Sequence, residues 1–96
     1  MFRSEKLRRA VSALPCQHCG REGYTQAAHR NEGKGMGLKT SDALLAALCF
    51  DCHRELDQGK DMSKAERRDM WNRACIRTYQ TLVESGALVV KERANV

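Results

Sequence analysis

The sequence predicts a small α+β domain stapled by a metal ion, and three observations carry that prediction. Cys16-Gln17-His18-Cys19 and Cys49-Phe50-Asp51-Cys52 are two Cys-x-x-Cys hooks set apart by residues 20–48. Each hook puts two thiolates on one tight turn, and four thiolates at about 2.3 Å complete a closed tetrahedral zinc shell. Residues 24–29 look like a short strand and the apolar run 43–48 suits a second, whereas 2–14 and 63–85 carry helical periodicity. Finally, 96 residues with only 5% aromatics bury a modest core, and a structural metal offsets that shortage. Residues 1–96 read as one domain, with a core at about 16–59 and no repeat or linker.

Charge and cysteine usage narrow the setting. Lys and Arg number 17 against 12 Asp and Glu, a net +5 that attracts polyanions such as nucleic acid. No leader pattern opens the chain and no apolar run is long enough for a bilayer, so a cytoplasmic protein without a membrane is expected. In that compartment thiols stay reduced, and paired Cys-x-x-Cys reads as metal binding and not as disulfide. The fifth cysteine, Cys75, falls mid-helix and reads as a small buried hydrophobe.

The elements follow in chain order. Residues 2–14 form an amphipathic helix, with Leu7, Ala10, Val11 and Leu14 on one face and Pro15 at its end. Its basic side suits solvent first and phosphate second. Cys16–Gly20 is the first knuckle, where Gly20 suits the tight turn and His18 points to the surface. Residues 24–29 read as a strand ending at His29. Asn31–Lys39 holds Gly33, Gly35 and Gly37 and reads as a loop without P-loop spacing. Residues 43–48 suit a second strand or a helical turn. The strand is preferred because the run feeds straight into the second knuckle, with room for a helical turn near Ser41-Asp42 before it. A helix then runs from Cys52 to about Gln58 and stops at Gly59, with His53 and Asp57 four apart on one face. Ser63 and Glu66 make a capping box for a long helix to about Ser85. Trp71, Ala74, Cys75, Thr78, Tyr79 and Leu82 line its apolar side, Gly86 ends it, and Ala87–Val90 reads as a further short strand.

Cys-x-x-Cys, a strand ending in Ala28-His29, and Cys-x-x-Cys-His53 with Asp57 one turn on resemble the zinc-containing HNH (ββα-metal, or His-Me finger) endonucleases. The pattern is most similar to short prophage-encoded nucleases of the YbcO type, over about residues 16–59. The resemblance implies a ββα-metal core with N- and C-terminal flanking helices, and metal-dependent hydrolysis of DNA phosphodiester bonds. Cys16, Cys19, Cys49 and Cys52 would hold a structural Zn²⁺. The clamp would bring His29 towards His53 and Asp57. On this likeness His29 is the general base that deprotonates the attacking water. His53 binds a catalytic Mg²⁺ or Mn²⁺, and Asp57 is a second ligand or holds a metal-bound water. Arg30, Lys34, Lys39 and Arg54 would lie near the DNA backbone.

The pattern departs from the family at two points. Ala28 stands where many members carry an acidic or His ligand, and the central Asn has no clear counterpart, so Asp42 and Asn31 both remain candidates to orient His29. Two other readings stay open: a non-catalytic zinc-finger module that binds nucleic acid, and a zinc-stapled protein-interaction adaptor. The oligomeric state is not readable from the chain.

Overall fold

The computed structural model describes residues 2–29, 41–59 and 61–91. The described elements are α1 (Glu5–Ser12), β1 (Thr25–His29), β2 (Leu45–Cys49), α2 (Phe50–Gln58) and α3 (Lys64–Glu84). β1 and β2 form an antiparallel pair in which Thr25 faces Cys49 and His29 faces Leu45. The α+β class is therefore as the sequence predicts.

All five residues of β2 are buried, which explains its uninterrupted apolar run. One face, with Leu45 and Ala47, packs with Val11 of α1 and Leu82 of α3. The other, with Ala46 and Leu48, packs with Ala28, Leu56 of α2, and Met70, Trp71, Ala74 and Cys75 of α3. α3 thus contributes to both clusters and also closes the outer edge of β2. The Ala47 amide donates to Thr78 Oγ1 at 2.9 Å and the Leu45 amide to the Tyr79 hydroxyl at 3.3 Å. On the same edge the Gln17 amide donates to the Ala47 carbonyl at 2.8 Å. A helix and a knuckle take the place of a third strand, so the edge offers no row of open backbone groups.

Element boundaries shift where a cap is made by tertiary structure. α1 begins at Glu5 and not at residue 2, because Ser4 caps it and Phe2 is tied away, its carbonyl accepting from the Asp42 amide at 2.9 Å. α2 starts at Phe50, two residues before the expected Cys52. The Cys49 sulfur serves as its N-cap, 3.5 Å from the Cys52 amide, and the Phe50 amide donates to the Tyr24 carbonyl at 3.0 Å. α2 ends at Gly59 in an extended conformation. α3 carries the expected capping box, with Ser63 Oγ and the Glu66 carboxylate each 3.1 Å from the other's amide. It stops at Gly86, whose φ of +80° only glycine adopts at little cost. The expected strand at Ala87–Val90 does not form, because the Leu88 amide turns back to the Leu82 carbonyl at 3.0 Å and finishes the helix cap instead. Among the described residues, no helix is long and apolar enough to cross a membrane.

Thr78 is fully buried, and its hydroxyl both accepts from Ala47 and donates to the Ala74 carbonyl at 2.6 Å. Thr78→Val keeps the shape but strands the Ala47 amide in the core. It should cost about 1–3 kcal/mol in urea unfolding of the zinc-loaded protein.

Candidate metal centre and the two histidine pairs

The hooks use one local device twice. In the first, the Cys19 amide points at Cys16 Sγ at 3.5 Å, and the Gly20 amide closes the turn on the Cys16 carbonyl at 2.9 Å. Gly20 has a φ of +83°, a left-handed conformation that side chains disfavour. In the second hook the Cys52 amide points at Cys49 Sγ at the same 3.5 Å. Arg21 and Asp51, 2.8 Å apart, tie the hooks together at the surface.

The sulfurs of Cys16, Cys19, Cys49 and Cys52 all lie within 4.8 Å of one another. Cys19 Sγ and Cys49 Sγ are 3.7 Å apart. A tetrahedron with 2.3 Å metal–sulfur bonds has edges of about 3.8 Å, so the spacing fits and the four sulfurs could hold a zinc ion. Their proton affinities point the same way. Burial raises the Cys16 thiol, but the amides of Cys19, Cys49 and His18 outweigh it and bring the group down to about 6. Burial and then the neighbouring thiols push Cys52 up. Four thiols in one pocket cannot all ionise unaided, and a cation that binds there must displace their protons. A cavity of about 340 Å³ lies beside Cys52, with Met62 and Met70 on its wall and His18 and Glu55 at its edge. It does not touch His29 or His53.

His29 ends β1 about one-quarter exposed, with Nε2 2.6 Å from Asp42 Oδ1. Because the carboxylate accepts, Nε2 carries the proton and the neutral ring leaves Nδ1 as its basic atom. Asp42 is fully buried. Its Oδ2 accepts from the Ser4 amide at 2.8 Å and from Arg8 Nη1, and Arg3 Nη1 stands 3.7 Å from Oδ1. Burial alone would raise the Asp42 carboxyl, but His29, Ser4, Arg8 and Arg3 together hold it well below the ordinary carboxylate range. Of the two candidates to orient His29, Asp42 makes the contact, and Asn31 lies outside the described residues.

His53 belongs to a second pair. Its Nδ1 is 2.8 Å from Gln26 Oε1, and its Nε2 is 3.4 Å from Asp57 Oδ2. With the Gln26 carbonyl oxygen accepting, Nδ1 carries a proton, and Nε2 faces the Asp57 carboxylate. A second polar residue that fixes the tautomer is the usual support for a metal-binding imidazole. Gln26 was not legible as a site residue.

The two pairs do not meet in one cluster. Alternation along β1 sets Gln26 and Ala28 on the α2 face and Ala27 and His29 on the α1 face, as the two core clusters also show. α2 nevertheless runs alongside β1 towards His29, since Phe50 bonds Tyr24 and His53 bonds Gln26. Among the described residues, the four cysteines form a convergent group of potential ligands, and His29, His53 and Asp57 do not. Ala28 is fully buried, and its carbonyl accepts from the Trp71 indole at 3.2 Å. Arg54 is exposed beside Asp51 at 3.4 Å and over the Phe50 ring at 5.4 Å. Arg30, Lys34 and Lys39 lie outside the described residues. No protein-family model, curated protein or solved structure matches this chain.

Cobalt titration of the reduced protein should give the absorption of a tetrahedral thiolate site. Cys49→Ser should abolish it, whereas Cys75→Ser, outside the cluster, should leave it unchanged.

Asp42 supplies a separate, pH-dependent test. Its folded value lies below the ordinary 3.8, so it stabilises the fold above that pH and loses this contribution as acid protonates it. The difference in urea midpoint between the wild type and Asp42→Asn should be widest near neutrality and should close as pH falls below 3.8.

Proposed function

We propose that this chain is a zinc-stapled, divalent-metal-dependent endonuclease that hydrolyses DNA phosphodiester bonds, in the manner of the HNH (ββα-metal) enzymes. The observation that carries the reading is the His29–Asp42 pair: a carboxylate with no exposed surface fixes the imidazole so that Nδ1 is the basic atom. A neutral imidazole with a free ring nitrogen can accept a proton from an attacking water as general base. His53 and Asp57, held by Gln26 and by the helix that Cys49 caps, are the groups suited to hold Mg²⁺ or Mn²⁺. When bound there, such an ion neutralises charge developing on the phosphate and on the leaving oxygen.

In this reading the closed sulfur shell takes no part in the reaction. Zinc holds α2 against β1, and through α2 it sets the position of His53 and Asp57. Ala28 contributes no ligand, so the site relies on two protein groups completed by phosphate and water. The substrate bridges the end of β1, with His29 on one side and the Asp57 end of α2 on the other. Arg54 offers a phosphate contact on the α2 surface, and such contacts place a substrate without reading its sequence.

A second reading, a zinc-stabilised nucleic-acid-binding module without catalysis, draws on the placement of His29 and His53 on opposite faces of β1. Plasmid nicking in Mg²⁺ or Mn²⁺ separates the two. The wild type should nick, and His29→Ala should lose at least about a hundredfold in rate while keeping zinc and DNA affinity. Equal, salt-sensitive DNA binding with no nicking by either protein would establish the binding module instead.

A further inference from the structure

We propose that Tyr24 and Phe50, with the arginines beside them, form a stacking platform for the unpaired bases of single-stranded DNA. The choice of DNA rests on the function proposed above, whereas the platform rests on its own geometry. Of the five aromatic residues in the chain, Trp71 and Tyr79 pack into the core. Tyr24 and Phe50 instead lie on the surface, 59% and 51% exposed. They are neighbours, because the Phe50 amide donates to the Tyr24 carbonyl at 3.0 Å where α2 starts beside β1. A single exposed ring needs no explanation, but two held side by side make a surface that a flat apolar partner would cover.

The arginines decide which partner fits. Arg21 Cζ stands 4.0 Å from the Tyr24 ring centroid, and Arg54 Cζ stands 5.4 Å from that of Phe50. Asp51 lies between the two stacks, 2.8 Å from Arg21 Nη1 and 3.4 Å from Arg54 Nη2, and steadies both guanidiniums. One carboxylate contact does not exhaust the five N–H donors of a guanidinium, whose flat fork matches phosphate oxygens. Each ring also has two faces, and a guanidinium covers at most one of them. An apolar peptide would use the rings and ignore the cations, and a duplex keeps the faces of its bases inside the stack. A single strand offers both groups at once, a π face for each ring and a phosphate between successive bases.

The platform adjoins the His53 pair. Two residues beyond Tyr24 and three beyond Phe50, Gln26 and His53 make their own contact at 2.8 Å. A strand stacked on the two rings would be held beside that pair, on the α2 face of β1. Unpaired DNA, and not an intact duplex, is then the substrate class of the proposed site. Ile76 and Val83, exposed on α3, are aliphatic and offer no such π surface.

The test is fluorescence anisotropy of a labelled oligothymidylate on the zinc-loaded full chain, with Mg²⁺ and Mn²⁺ withheld. Tyr24→Leu and Phe50→Leu should each weaken its binding at least about fivefold, the low end for one stacked base. Both should keep the wild-type salt dependence, since neither removes a charge. Tyr24→Phe, which retains the ring, should hold wild-type affinity. A duplex and an abasic strand, which present no free base, should bind wild type and both leucine variants alike. Equal oligothymidylate affinity for wild type and the leucine variants overturns the platform, as does an abasic strand bound as tightly as the oligothymidylate. If Phe50→Leu, inside a hook, loses the cobalt spectrum, Tyr24→Leu decides alone. Tighter binding of oligouridylate overturns the assignment to DNA. Nicking, measured separately, isolates the two proposals. The expected loss of affinity without wild-type cleavage upholds the platform and removes the nuclease, whereas cleavage with equal affinities does the reverse.

Discussion

The convergence of four sulfurs at the junction of β2 and α2 is the constraint on which the rest of the structure depends. Cys49 is at once the last residue of β2, the N-cap of α2 and a member of the sulfur group. A cation bound there fixes where the strand stops and the direction in which the helix leaves. The first hook approaches from the other side, with the Gln17 amide on the Ala47 carbonyl, so the knuckle and the strand edge are held by the same few atoms. Burial and the neighbouring thiols favour the protonated form of Cys52, so a cation that binds there must displace a proton. An ion held by the four sulfurs would couple metal binding to folding, as expected where a small core needs an added clamp.

Asp42 is a second anchor, of different physics. A buried carboxylate loses its hydration, and only dense hydrogen bonding keeps it ionised. Here Ser4, Arg8 and His29 provide that bonding from α1, its cap and the end of β1. The N-terminal segment is bound to the sheet through this one side chain as well as through Val11 and its apolar neighbours. The sulfur group governs His53 through α2, and Asp42 governs His29 through α1. β1 is the element common to both.

What the sequence disclosed follows the range of the interactions. The hooks, the capping box at Ser63 and the apolar side of α3 are local patterns, and each forms as expected. The end of α2 at Gly59 is legible for the same reason, but its start is not, because the cap is a sulfur whose direction depends on the other hook. α1 loses its first residues to a bond between Phe2 and Asp42, a contact no periodicity encodes. The expected strand at Ala87–Val90 yields to the helix cap, since one amide cannot serve both. In the candidate site, His53 with Asp57 was readable from i, i+4 spacing. The His53–Gln26 and Arg8–Asp42 contacts join residues far apart in sequence and had no local signal.

The depth of Asp42 bears on what the α1 face is for. An apolar residue of similar volume would fill that position without a desolvation penalty, and replacing buried ion pairs in this way is often neutral or stabilising. α1 already has Val11 fully buried against Leu45, Ala47 and Leu82, so packing alone does not call for a charge at position 42. What a carboxylate adds, and a leucine would not, is direction. It selects which nitrogen of His29 carries the proton, and it draws two guanidiniums to the rim of the same small patch. Together these set the orientation of one imidazole and of two arginines on the α1 face of β1, which packing alone would not do.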